Sequence, residues 1–122
     1  MKIRMMLEIF KKKKEEENKS FKSRWLKDLC KAEEMLQLTP FKGQVIPRQG
    51  CREQGYKHYE KRLKEFFSID PPVELRRFEC SEGRRIIYLV ISGQIDGIIA
   101  KHIFIIDYID HKEYSKIFGY GV

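Results

Sequence analysis

Four arginines stand in two adjacent pairs, Arg76/Arg77 and Arg84/Arg85, on either side of a short turn. His111 and Tyr114 follow just past the last apolar run. Guanidinium is a planar, permanently charged fork of donors, suited to an anion that offers several oxygens at once. Imidazole can pass a proton near neutral pH, and phenol can donate or accept a hydrogen bond. The charge distribution agrees with an anionic partner. Residues 1–66 carry 18 Lys and Arg against 10 Asp and Glu, a balance of +8, whereas residues 67–122 carry 7 against 8, a balance of −1. A basic half beside a neutral one fits nucleic acid or an acidic protein. It fits a helical surface made soluble by lysine equally well.

Other chemistries lack their residues. There is no phosphate-cradling glycine loop, no nucleophile elbow, and neither HExxH nor a Cys/His cluster. No metal and no small-molecule cofactor is therefore expected. Cys30, Cys51 and Cys80 are scattered without a CxxC spacing, which points to a reducing cytoplasm. The apolar runs 86–91 and 98–106 fall short of the roughly 20 residues of a membrane-spanning helix. The opening MKIRMMLEIF lacks the apolar length and small-residue cleavage site of a signal peptide. No membrane partner is expected. One acidic pair, Asp96 in Gly93-Gln-Ile-Asp96 and Asp107 in Ile105-Ile-Asp107-Tyr108, resembles the acidic half of the PD-(D/E)xK nucleases. Ile109 stands where that family has lysine, so such a site could bind Mg²⁺ but lacks the usual partner for activating water.

The elements that position these residues follow from periodicity. Residues 73–80 alternate as a half-exposed strand, and Ser81-Glu-Gly83 turns the chain back. Runs 86–91 and 98–106 are rich in β-branched and aromatic residues without clean alternation, the mark of strands covered on both faces. Ser92–Gly97 reads as the hairpin connection between them. Lys2–Phe10 alternates as an edge strand, although its Met, Leu and Glu suit a helix equally, and KKKKEEE at 11–17 reads as a solvated turn or helix start. Asn18 or Ser20 can cap a helix whose stripe runs Phe21, Trp25, Leu29, Ala32, Leu36, ending near Gln37 before Thr39-Pro40. Residues 40–51 form an irregular loop long enough to wrap a partner or line a groove, or to be a tolerated insertion. A second helix over 52–67 turns Tyr56, Tyr59, Leu63 and Phe66 inward and Lys57, Lys61, Arg62 and Lys64 outward. Asp110 and Glu113 form a capping box for a short last helix, stopped by Gly119. The expected fold is a single α+β domain over 1–122, in the order β-α-α-β-β-β-α. Two N-terminal helices pack on a mostly antiparallel sheet of three to four strands, followed by a short C-terminal helix.

That order resembles the RelE/ParE superfamily of small bacterial and archaeal toxins over nearly the whole chain. Gly83-Arg-Arg85-Ile-Ile-Tyr88 is similar to the family's glycine, variable residue, arginine, two aliphatics and tyrosine at the start of a central strand. An apolar strand follows after a short hairpin, and His111-Lys-Glu-Tyr114 resembles the family's His/Arg-rich ending that closes on tyrosine. Two positions depart from the pattern. Cys80 stands where many RelE-type nucleases carry a basic residue, and Tyr108 and Ile109 stand where the family's histidine or arginine commonly sits. The resemblance implies the toxin of a type II toxin–antitoxin system, a RelE-like, ribosome-dependent endoribonuclease that needs no metal. Its partners would be mRNA on the ribosome and a silencing antitoxin protein. Carried onto this chain, Arg85, His111 and Tyr114 would be catalytic. Arg76, Arg77, Arg84, Lys57, Lys61 and Lys112 would contact RNA. The ParE branch implies a different outcome, a non-catalytic protein of the same fold that inhibits gyrase or only binds RNA. Structural duties are open to the same residues: Arg85 can brace the hairpin, and Tyr114 can pack the last helix on the sheet.

Overall fold

The structure, a computed structural model, describes residues 2–5, 19–48, 52–95 and 97–119. The charge block at 11–17 and Asn18 lie outside the described residues, as do Asp96 and Cys51. Strands are β1 (Lys2–Met5), β2 (Gln44–Val45), β3 (Arg76–Glu79), β4 (Arg85–Ile95) and β5 (Ile98–Ile109). Helices are α1 (Lys19–Leu38), α2 (Arg52–Phe67) and α3 (His111–Phe118), and a single 3-10 turn, Ser81–Gly83, joins β3 to β4. All five strands form one sheet in the order β1-β5-β4-β3-β2. Pairing is antiparallel except for β1, which runs parallel to β5.

The α+β class agrees with the expectation, and the details differ in two ways. The sheet has five strands because the loop at 40–51 contributes β2, a two-residue edge strand against Arg76 and Arg77. Ser92–Gln94 belongs to the ladder rather than to a loop, since Ser92 pairs with Lys101 and Gln94 with Ile99. The two long helices pack on opposite faces. Trp25, Leu29, Ala32 and Leu36 of α1 bury one face, against Ile86, Tyr88, Ile103, Ile105 and Tyr108. Tyr56, Tyr59 and Leu63 of α2, with Tyr114 and Phe118 of α3, bury the other against Ile87, Leu89, Phe104 and Ile106. Covering both faces is what makes β4 and β5 apolar at successive positions.

Local chemistry explains the helices. In α2 the buried stripe runs Tyr56, Tyr59, Leu63 and then Phe67, which meets Phe104 at a ring separation of 5.3 Å. Phe66, expected inside, is 44 % exposed, because the step of four from Leu63 carries the stripe to Phe67. Helix α2 crosses α3 closely at Gly55, where a Cβ would lie 2.4 Å from the Phe118 ring. The α3 cap forms as its spacing predicts: the Asp110 carboxylate accepts from Glu113 N at 2.8 Å, and Glu113 Oε1 accepts from Asp110 N at 3.4 Å.

A β-bulge interrupts β5. Ile87 lies opposite Asp107 and Tyr88 opposite Ile105, so Ile106 is the extra residue. Asp107 then faces α2, where Tyr59 donates to it at 2.7 Å, while Tyr108 faces α1 and donates to Asp28 at 2.5 Å. Ser81 Oγ donates to the same Asp28 carboxylate at 3.0 Å. On each sheet face one buried carboxylate, Asp107 or Asp28, is thus satisfied by hydroxyl donors.

Candidate functional site

Successive side chains of a strand point to opposite faces, so each arginine pair is split by the sheet. The register sets Arg77 opposite Ile87 and Glu79 opposite Arg85, which puts Arg77, Glu79 and Arg85 on the face covered by α2 and α3. There the two guanidiniums, from neighbouring strands, flank Tyr114. The Arg85 Cζ lies 4.4 Å from the ring centroid and the Arg77 Cζ 5.4 Å, both within cation–π range. Arg77 Nη1 donates to the Tyr114 hydroxyl at 3.3 Å, and its Nη2 donates to Gln44 Oε1 at 2.7 Å. Glu79 lies between the two cations, 3.2 Å from Arg85 Nε and 3.5 Å from Arg77 Nε.

Two positive charges therefore share one carboxylate, and that carboxylate is exposed while the cations are covered. The Arg85 side chain is only 12 % exposed, and Tyr114 only 1 %. Arg85 Nη1 is buried with no hydrogen-bond acceptor among the described residues. An unsatisfied buried donor costs about 1–3 kcal/mol, and more when it is charged. The arrangement is suited to binding a phosphate or carboxylate.

The other candidates lie elsewhere. Arg76 points to the α1 face, donates to the carbonyls of Phe41 (3.2 Å) and Gly43 (2.8 Å), and lies 4.8 Å over the Phe41 ring. Its role is to fasten the β2 loop to the sheet. Arg84 also faces α1 and sits 5.5 Å over the Tyr108 ring. Lys57 and Lys61 are exposed on α2. His111 and Lys112 are exposed on the first turn of α3, one turn before Tyr114, and line a cleft of about 500 Å³ with Asp110, Glu113, Ser115 and Lys116. The structure brings together Arg77, Arg85 and Tyr114, and sets Arg76 and Arg84 apart from them.

Asp107 is buried, holding Tyr59 OH with one oxygen and the Tyr108 backbone N with the other. Among the described residues no three His, Cys, Asp or Glu side chains are grouped to hold a metal, and no helix is long and apolar enough to cross a membrane. Comparison with known proteins gives no match, whether to a family model, a curated protein or a solved structure.

Two members of the cluster escape a reading of motifs. Glu79 was accessible from hairpin symmetry: a turn at 81–83 pairs Cys80 with Arg84, hence Glu79 with Arg85, and parity then adds Arg77. Cys80 N does donate to Arg84 O at 2.8 Å. Gln44 gave no signal, because it stands in a stretch without periodicity.

Proposed function

We propose that this chain is a RelE/ParE-like toxin that cleaves mRNA on the ribosome without a metal, using Arg77 and Arg85 as its phosphate clamp. One observation supports the reading: two guanidiniums from adjacent strands meet over Tyr114 and share a single exposed carboxylate, Glu79. In the proposed reaction the scissile phosphate lies against both cations. Glu79, exposed between them, takes the proton from the ribose 2′-hydroxyl as that oxygen bonds to phosphorus. The bond to the 5′-oxygen breaks, and the departing oxygen receives a proton from His111, on the first turn of the helix that carries Tyr114. A 2′,3′-cyclic phosphate and a 5′-hydroxyl result. The guanidiniums stabilise the charge that gathers on the crowded phosphate. A silencing antitoxin would mask the same cations with carboxylates.

The test is cleavage of a translated mRNA by the purified chain on programmed ribosomes. Cuts within codons are expected, and Arg85→Gln should slow them by about 100-fold, the cost of one transition-state donor. Intact mRNA would sink the catalytic reading. DNA breaks in expressing cells would replace it with gyrase inhibition. A second reading, RNA binding without cleavage, is favoured by the near-complete burial of Tyr114, whose ring cannot also stack on a base. It predicts unchanged mRNA and RNA affinity that falls with Arg85→Gln.

A further inference from the structure

A cleft of about 340 Å³ opens beside the arginine cluster, at the edge of the sheet. Its origin is the brevity of β2. That strand pairs with Arg76 and Arg77, so among the described residues Phe78 and Glu79 of β3 have no strand neighbour on that side. The gap is closed from the α1 side by Lys31 and Met35, and from the loop by Lys42 and the residues that begin β2. Met35 and Phe78 give it an apolar floor, and Lys31, Lys42 and Arg77 line its rim against one acid, Glu79. Both lysines are exposed, and neither takes part in an ion pair among the described residues. Arg77 belongs to the cleft and to the Tyr114 cluster alike, so the two sites are contiguous.

We propose that this cleft is a nucleotide subsite for single-stranded RNA, adjoining the phosphate position at Arg77 and Arg85. A base rests on the Met35 and Phe78 floor, and the phosphate that flanks it is held by Lys31 and Lys42. The inference rests on the RNA reading above and adds a defined neighbour to the reacting phosphate. Its physical basis is the pairing of a cationic rim with an apolar floor, the combination by which proteins follow an unpaired strand. The volume lies within the range of sites that enclose a small ligand. An excess of two positive charges selects an anionic occupant.

The experiment is fluorescence anisotropy with a short 2′-O-methyl RNA, which cannot be cleaved, titrated at several KCl concentrations. Each phosphate contact contributes about 0.7 to the log–log salt slope for a single strand. Lys31→Gln/Lys42→Gln should therefore weaken binding and flatten the slope by about 0.7, the share of the one phosphate they hold. A 4-thiouridine placed beside the clamped phosphate should photo-cross-link to the peptide containing Met35 or Phe78. Both lysines are exposed, so the double variant should melt like the wild type. If Arg77→Gln and Arg85→Gln abolish binding while the lysine variant matches the wild type in affinity and slope, the subsite is overturned and the RNA reading stands. If the wild type binds no RNA, both fall together. Protection of the two lysines by an acidic peptide but not by RNA would overturn the subsite in favour of a protein partner.

Discussion

Cys80 lies next to the turn that joins β3 and β4, and its chemistry is set by its surroundings. Burial pushes its thiol up to about 12, and the nearby Asp28 carboxylate adds to the shift. A thiol is nucleophilic only as thiolate, so Cys80 should be inert near neutral pH. Iodoacetamide at pH 8 should alkylate the exposed Cys30 and spare Cys80 until the protein unfolds, as peptide mass spectrometry would show. The same scale shows what a string of letters hides. Arg76 and Arg77 are alike and adjacent, yet one braces a loop and the other reaches the Tyr114 cluster. Which is which depends on the face where α3 comes to rest, a long-range matter that composition does not encode. The elements that carry Arg85 and Tyr114 were legible, because a strand start and a helix first turn are both marked by local signals; their meeting was not.

Among the elements, the described part of the loop, residues 40–48, is more firmly held than its lack of periodicity implies. Arg48 makes a two-pronged bond to Glu60 of α2, at 2.6 and 3.1 Å, donates to Val73 O at 3.2 Å, and lies 4.0 Å over the Tyr56 ring. Glu60, itself buried, also accepts from Val73 N at 2.9 Å. Arg48→Ala would leave that carboxylate without its counter-charge. A loss of about 3 kcal/mol is expected, at the lower end for a broken buried pair because the arginine is partly exposed. Urea denaturation should show a lower midpoint with an unchanged slope. Lys64→Ala, which removes an exposed partner of Asp70, should shift stability by no more than about 0.5 kcal/mol. A backbone contact fixes the other end of the segment. Gly43 N donates to Tyr88 OH at 2.8 Å, and a Cβ there would stand 2.5 Å from Arg77 O. The helices and long strands were readable because each repeats its own period. The β2 segment was not, because its partners lie 10 to 45 residues away in the chain.

For the molecule as a whole, buried phenols set an alkaline limit. Burial raises Tyr56, Tyr59, Tyr88 and Tyr108 above the ordinary value, and the carboxylates of Asp107 and Asp28 push Tyr59 and Tyr108 further. A raised folded value means that the folded state keeps its proton when the unfolded chain gives it up. The stability is complete below the unfolded value of about 10 and drains away as pH rises beyond it. Melting temperature should hold to about pH 9 and fall steeply above 10, with tyrosinate absorbance and loss of circular dichroism appearing together. The double cladding of the sheet has one more consequence. In a sheet with one wet side, slipping a strand by one residue would expose its oily side chains, and that penalty fixes the alignment. Here both sides are oily, so a slipped β5 would merely exchange the linings of two dry chambers. Greasiness cannot police the alignment; the two hydroxyl–carboxylate latches can, because a slip would strand Asp107 under α1 and carry Tyr108 away from Asp28. Four polar atoms in the driest part of the protein thus do the work of telling one side of the sheet from the other.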